Sequence, residues 1–254
     1  MPELPDVEAF RKQAEKARGK KIVTVSINPS RVLRVSGKTL RKHLLGNAIK
    51  GTGRHGKYMF IPLDGVRELV LHFGMTGYLS YSRREAPDHT VLDIRFADGH
   101  SLSYVSVRKL GKVDMARSRD EYVKKANLGP DAFRLKEREF SRIIGGRGGN
   151  IKSALMDQSL MAGIGNIYSD EILYQAGIHP GRKTGSISDR DSLYRAMHGV
   201  LREAIKSGAL PEKMPVHFLL RRRKEGKACG KCSGRISKKT INGRSSYFCD
   251  SHQE

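Results

Sequence analysis

The sequence predicts an α+β chain of more than one domain: an N-terminal β-sandwich led by a helix, then a helical domain ending in a metal-bound β-hairpin. Three observations carry this. Short β-branched runs fill the first half, helical periodicity replaces them in the second, and three cysteines crowd beside a histidine at the C-terminal end. At 254 residues the chain exceeds the common single-domain size, so each part is long enough to bury a core of its own.

Between Pro5 and Ala17 the residues Val7, Phe10, Ala14 and Ala17 recur at helical spacing, predicting a short amphipathic helix that ties down the N-terminus. Five strand-like runs follow: KIVTVSI (21–27), KYMFIPL (57–63), ELVLHF (68–73), TVLDIRF (90–96) and SLSYVSV (101–107). Turn signals Asp64-Gly65 and Asp98-Gly99 separate neighbours, as in a sandwich spanning 1–115. The charged stretch 116–130 has few strand formers and ends in Gly129-Pro130, which marks a linker. Residues 131–222 read as helical, most clearly at Leu193, Met197, Val200, Leu201 and Ala204, with Ser188 and Asp191 as a capping box and Gly208 as the stop. Within it, a helix containing Lys152, turns at Gly163 and Gly165, and a second helix from Asn166 form a helical hairpin. The tail, 223–254, is too poor in apolar residues to fold by burial alone.

What staples the tail is legible in its spacing. Cys229 and Cys232 form a CxxC pair, and after sixteen intervening residues Cys249 and His252 form a CxxH pair, the pattern of two knuckles gripping one tetrahedral zinc. Three cysteines cannot all pair with one another, which argues for metal over disulfides. Four protein ligands leave no open coordination position, so the predicted zinc is structural, supplying roughly 10–16 kcal/mol of apparent binding energy to the hairpin.

The formal charge of +22 implies a polyanionic partner, with nucleic acid favoured over an anionic membrane. Arg235, Lys238, Lys239 and Arg244 on the hairpin suit phosphates, although a solvated charged face has the same composition. No apolar run reaches membrane-spanning length, and the opening residues MPELPDVEAF lack the basic start and apolar stretch of a secretory signal. An intracellular protein is expected, cytoplasmic or nucleoid-associated if bacterial. No oligomerisation motif is evident, so a monomer is expected.

The start MPELPDVE (1–8), the segment MDQSLMAGIGNIYSDEILYQAGIHP (156–180) and the terminal knuckles occur in the order and spacing of one family. Together they resemble the formamidopyrimidine-DNA glycosylase and endonuclease VIII family over nearly the whole chain. The resemblance implies a bifunctional DNA glycosylase and AP lyase of base-excision repair. Its partner would be double-stranded DNA containing damaged bases or abasic sites, cleaved by β,δ-elimination.

It further implies that Pro2, freed by removal of Met1, is the nucleophile and that Glu3 is the acid that helps open the sugar. The chemistry is sensible, because an α-amino group has a reference pKa near ~8 against ~10.4 for lysine, leaving a useful neutral fraction at pH 7. Lys57, in RHGKYMF, matches the family's hairpin lysine that contacts phosphate and lesion; it is also the second candidate for the Schiff-base amine. Lys152, Asn166 and Arg244 match the groups that grip the backbone beside the lesion. Met75, Arg108 and Leu110 stand where the family fills the hole left by the everted nucleotide.

The chain departs from members acting on 8-oxoguanine at two places. Those members carry Asp-Pro-Arg-Arg-Phe around the filler where this chain has Ser106, Val107, Arg108, Lys109 and Leu110, and they carry a longer glycine-rich loop between the positions of Gly208 and Cys229. Weak activity on 8-oxoguanine is therefore expected, with better activity on oxidised pyrimidines, ring-opened purines, hydantoins and abasic sites. Asp6 stands where glutamate is common, and His252 replaces a fourth cysteine while remaining a competent zinc ligand. The competing functional class is a non-enzymatic, zinc-dependent damaged-DNA-binding protein, which has no need of an N-terminal Pro-Glu pair.

Overall fold

The computed structural model describes residues 1–65 and 67–254, and these divide into two compact units, Met1–Asn127 and Leu128–Glu254.

The first unit opens with helix α1 (Leu4–Glu15), whose buried face is Leu4, Val7 and Ala14; it stops before Ala17, which is buried outside the helix. Eight strands and two further helices follow. In chain order they are β1 (Ile22–Ile27), α2 (Gly37–Leu44), β2 (Gly53–His55), β3 (Tyr58–Pro62), β4 (Glu68–His72), β5 (Gly77–Ser82), β6 (Thr90–Phe96), β7 (Ser101–Ser106), β8 (Lys112–Ala116) and α3 (Arg119–Lys125). They form two four-stranded antiparallel sheets, ordered β1-β6-β7-β5 and β2-β3-β4-β8.

Period-two alternation sends Met59, Ile61, Leu69, Leu71 and Val113 of the second sheet into one core with Val25, Leu92, Ile94 and Leu102 of the first. Its opposite face carries Phe60, Val70 and Ala116, which Tyr122 and Val123 of α3 cover. Thus the stretch 116–130, read as a linker, holds a two-turn helix, and the division between units falls inside it. Each fully buried side chain of this kind stabilises by roughly 1.5–3 kcal/mol. Strands β2, β5 and β8 and helix α2 escape the sequence reading because they are short or polar: α2 has only Leu40 and Leu44 as buried anchors among cationic neighbours.

The second unit contains α4 (Glu137–Gly145), α5 (Ile151–Met156), α6 (Asn166–Ala176), α7 (Arg190–Lys206) and the hairpin β9 (Ser237–Ile241) with β10 (Arg244–Phe248). Helix α6 packs against α5, α7 and β10, so its residues from Tyr168 to Tyr174 are all buried, including Asp170 and Glu171. It ends at Gly177, whose φ of 71° closes the cap while the Ile178 amide donates to the Leu173 carbonyl at 3.0 Å. Helix α7 buries the five residues expected, but its cap is a correction. Asp189, not Ser188, starts the helix, accepting from the Ser192 amide at 2.8 Å, and its carboxylate also complements the helix dipole. No helix of the described residues is long and apolar enough to cross a membrane.

Candidate nucleic-acid interface and metal centre

In the first unit, Pro2 is half-buried ahead of α1 and Glu3 is the residue that caps it, only 1% exposed. The Asp6 carboxylate accepts from the Glu3 amide at 2.9 Å, which fixes the entry of the chain into the helix. Burial holds Asp6 above the ordinary carboxylate range against the opposing pull of that backbone bond. Two residues on, Glu8 accepts from Arg54 on β2 at 3.2 Å, and the Arg54 guanidinium also donates to the Gly56 carbonyl at 3.0 Å. Gly56 and Lys57 are the two-residue turn between β2 and β3, with Gly56 at φ 54°. A largely buried ion pair therefore ties the Lys57 turn to helix α1, which Pro2 and Glu3 precede. Lys57 itself is only 8% exposed.

Next to this turn, His72 at the end of β4 packs against Tyr58 with ring centroids 4.7 Å apart and tilted by 39°, and its Nδ1 accepts from the Gly74 amide at 3.3 Å. Burial, then the charges of Lys112 and Lys57, push its pKa down to about 4, so the imidazole is neutral near pH 7. Sequence reading passed over His72 and Arg54; each looked like an ordinary strand residue.

Met75, Arg108 and Leu110 lie together on two touching loops. The Arg108 amide donates to the Thr76 hydroxyl at 3.2 Å, and a Cβ on Gly74 would lie 2.6 Å from the Leu110 carbonyl carbon. With φ of 61°, Gly74 is needed both for the turn and for this approach. Met75 and Leu110 are 43% and 44% exposed, an unusual fate for apolar residues beside a full core. Val107, next to Arg108 in sequence, is 50% exposed.

In the second unit, Asn166 and Lys152 meet the β9–β10 hairpin at a single atom. The Asn166 amide nitrogen and Lys152 Nζ both donate to the Ser245 carbonyl, at 3.0 and 3.2 Å. The adjacent residue, Arg244, is exposed at the head of β10, and with Lys152, Ser153 and Asn242 it lines a cleft of about 200 Å³. Asn242 and Gly243, at φ 48° and 71°, make the hairpin turn, and the Asn242 amide donates to the Ser153 hydroxyl at 2.8 Å. Lys152 differs from expectation. Its side chain is 2% exposed, and its ammonium pairs with Asp170 at 2.7 Å and donates to the Ser246 hydroxyl at 2.6 Å, so its charge is committed to holding the hairpin. Asp170 is also gripped by Arg223 at 2.7 Å and accepts from the Tyr247 amide at 3.2 Å. Burial lifts the Asp170 pKa while the two cations oppose it. Neither Asp170 nor Arg223 carried a sequence signal.

Cys229, Cys232, Cys249 and His252 bring their ligand atoms within 4.8 Å of one another. Sulfur–sulfur and sulfur–nitrogen edges of a tetrahedron with ordinary zinc bond lengths are about 3.8 and 3.6 Å. The Cys232–Cys249 separation is 3.6 Å, and His252 Nδ1 lies 3.4 Å from Cys229 and 3.9 Å from Cys232. Outer partners orient the set: His252 Nε2 faces the Tyr174 carbonyl at 3.2 Å, leaving Nδ1 for the ion, and the Gly234 amide donates to Cys232 Sγ at 3.3 Å. The four residues fit a tetrahedral metal and leave it no free position.

These two units define a class: a helix-led β-sandwich, then a helix–two-turn–helix unit with a Cys3His hairpin. Residues 1–113 match the formamidopyrimidine-DNA glycosylase N-terminal domain, and residues 128–214 match that family's H2TH domain. Formamidopyrimidine-DNA glycosylases of Lactococcus lactis subsp. cremoris and Novosphingobium aromaticivorans are 32% and 34% identical to this chain, each alignment covering 98% of both proteins. The crystal structure of a complex between the Lactococcus lactis Fpg and DNA containing an abasic site superimposes with a TM-score of 0.89, at 31% identity over 99% of both chains. Another, of the same bacterium's Fpg with DNA containing N7-benzyl-Fapy-dG, gives 0.89 at 31% identity over 100% of both. The chain belongs to the formamidopyrimidine-DNA glycosylase family.

Proposed function

We propose that this protein is a zinc-stabilised, bifunctional DNA glycosylase and AP lyase of base-excision repair, with Pro2 as nucleophile. The observation that carries the reading is the end-to-end match to enzymes crystallised on abasic and Fapy-dG DNA, in a chain that keeps Pro-Glu at the head of α1.

Once Met1 is removed, the Pro2 nitrogen attacks C1′ of an everted nucleotide, and the base leaves with the bonding pair and takes up a proton. Glu3, buried at the nucleophile's side, supplies or accepts protons at the sugar. With O4′ protonated by Glu3, the C1′–O4′ bond breaks and the Pro2 nitrogen loses its proton, leaving an open-chain iminium that acidifies C2′; loss of a C2′ proton expels the 3′ phosphate, and a second elimination expels the 5′ phosphate. Lys57, on its braced turn, contacts phosphate and lesion. Met75, Arg108 and Leu110 fill the vacated stack, Met by shape and Arg by hydrogen bonding the orphaned base. Asn166 and Arg244 hold the backbone, while Lys152 acts behind them by fixing the hairpin that presents Arg244. The cation in the Cys229, Cys232, Cys249 and His252 cluster is zinc, which supplies folding energy to the hairpin and no chemistry.

The lesion ranking expected from sequence gains support from the segment after α7. It is short, forms 3-10 turns at Pro211–Lys213 and Leu219–Arg221, and is pinned where the Leu219 and Leu220 amides donate to Glu171 at 3.2 and 2.7 Å. A segment so held has little chain to close over a purine. Excision of Fapy, hydantoin and oxidised pyrimidine lesions is expected to exceed that of 8-oxoguanine.

Borohydride trapping on an abasic duplex, using protein whose N-terminus is verified by mass spectrometry, should yield a covalent adduct and β,δ-elimination products. Pro2→Gly should lose most of the adduct. No adduct with processed protein, or trapping abolished only by Lys57→Ala, would overturn the assignment. A duplex panel in which 8-oxoguanine opposite cytosine is excised fastest would overturn the lesion ranking.

A further inference from the structure

The first unit contains a concave surface that none of the roles above uses. A cavity of about 670 Å³ runs along the outer edge of β8, lined by Arg34, Arg67, Lys112, Arg117 and Lys125, with Val35, Met115 and Tyr122 among its apolar surface. Only Asp114 and Glu121 bring negative charge to it. Among the described residues, none of the five cations has a carboxylate within ion-pair distance. One of the two acids is already engaged, since Asp114 bonds the Tyr122 hydroxyl and accepts from the Met115 amide at 2.8 Å. Five unpaired cations gathered on one concavity repel each other unless a polyanion lies among them.

One lining residue, Lys112, links the cavity to the Lys57 turn. In the register of the second sheet, Lys112 pairs with His72 and His72 pairs with Tyr58, the residue after Lys57. Lys112 Nζ reaches the Tyr58 hydroxyl at 3.5 Å. The Arg34 amide bonds the Val113 carbonyl at 2.9 Å, placing Arg34 one step further along, and Glu68 pairs with Ala116, which brings Arg67 and Arg117 to the far end. The cations thus form a row leading away from Lys57. Five residues of strand span about 16 Å, and one strand of duplex DNA presents a phosphate every ~3.4 Å of axis, so the row can serve several phosphates. A peptide added as a further strand is disfavoured, because the β8 edge is already used: Val113 exchanges hydrogen bonds with Val32 and Arg34, and the Met115 amide is held by Asp114.

We propose that the β8 edge, from Lys112 through Arg34 to Arg117, is an accessory track for the DNA backbone flanking the lesion nucleotide. The inference rests on the proposed function and deepens it by assigning where the strand runs beyond the reacting sugar. The track grips phosphate without reading sequence, so it contributes affinity and salt dependence and leaves the chemical step alone.

The test measures binding of a duplex bearing a tetrahydrofuran abasic analogue against KCl concentration. It compares wild type, the exposed pair Arg34→Ala/Arg117→Ala, and Lys38→Ala on α2 as a control for general charge loss. The double variant should show a log Kd against log[KCl] slope smaller by about 2, near 0.9 for each phosphate contact removed. Wild type and Lys38→Ala should lose affinity when the duplex is trimmed on one side of the lesion, and the double variant should be indifferent to that trimming. Borohydride trapping at saturating long duplex should be equal in all three. Identical slopes and identical trimming profiles in the double variant and the control would overturn the track. So would unchanged DNA slopes accompanied by loss of ATP or pyrophosphate binding, which would make the cavity a small-anion site. If wild type fails to trap on any abasic duplex while the slope difference persists, the catalytic reading falls and the track stands.

Discussion

The protein presents two cations on the ends of two hairpins, Lys57 between β2 and β3 and Arg244 beside the β9–β10 turn, and anchors them by different physics. The first hairpin belongs to a sheet whose inner face is core, with Met59 and Ile61 both 0% exposed, and needs only Glu8 and Arg54 to orient its turn. The second is mostly exposed along β9 and has little apolar surface of its own. It is held by the Cys3His cluster and by the buried Lys152–Asp170–Arg223 set. An element with a core to lean on can present a cation cheaply, whereas a surface ribbon requires ligation and paired charge.

The sharpest break in that comparison is metal removal. Chelation, or Cys249→Ser, should remove an interaction of the order of 10 kcal/mol. Hydrogen exchange should then show protection lost across 227–254 and retained across 57–62; retained protection in both would refute the metal's structural role. Next comes Asp170→Ala, which strands the Lys152 ammonium in a buried site and should cost about 3–5 kcal/mol by urea denaturation, with much recovered by adding Lys152→Met. Arg54→Met should cost less, about 2 kcal/mol, because Glu8 keeps Arg11 at 2.8 Å. It should also lower the rate at saturating abasic duplex by misplacing Lys57, an effect that a purely structural loss would not produce once the protein is folded.

Two buried groups, Glu171 in one unit and His72 in the other, should also contribute pH dependence of opposite sign. Burial pushes the Glu171 carboxyl up to about 7 from 4.5, with its hydrogen bonds only partly opposing. Between those values the folded state binds the proton more tightly than the unfolded chain, so stability falls as pH rises, by on the order of 3 kcal/mol; Glu171→Gln should flatten that slope. His72, pushed down to about 4 from 6.5, does the reverse: the unfolded chain takes up the proton first, so its contribution is lost as pH falls through that window. Thermal melts from pH 4 to 8 on wild type, Glu171→Gln and His72→Gln would separate the two. The smallest effect expected is Gly243→Ala, about 1 kcal/mol, from forcing a Cβ into φ 71° at the second hairpin's turn.

Much of this was legible before folding because the signals are local. The CxxC and CxxH pairs sit on adjacent knuckles, so four ligands could be named from spacing. Alternation marked five of the sandwich strands and helical periodicity marked α7. The Pro-Glu start and the GIGN turn reported a family, and the family models and relatives cover the same stretches. The exposed pair Met75 and Leu110 could be singled out only through that resemblance, since composition alone assigns such residues to a core.

What tertiary structure decided is the fate of charge. Lys152 and Arg244 are both cations in basic surroundings, yet one is buried against Asp170 and the other is open to solvent. Asp170 and Glu171 are neighbours on α6 and burial raises the pKa of both, yet one is opposed by an ammonium and a guanidinium while the other accepts two backbone amides. Sequence determines which groups exist and which elements they ride on, because propensity and ligand spacing act over a few residues. The role of an ionisable group depends on desolvation and on partners brought from 18 to 94 positions away, as Lys152 with Asp170 and with Ser246 show, and only the packed chain sets these.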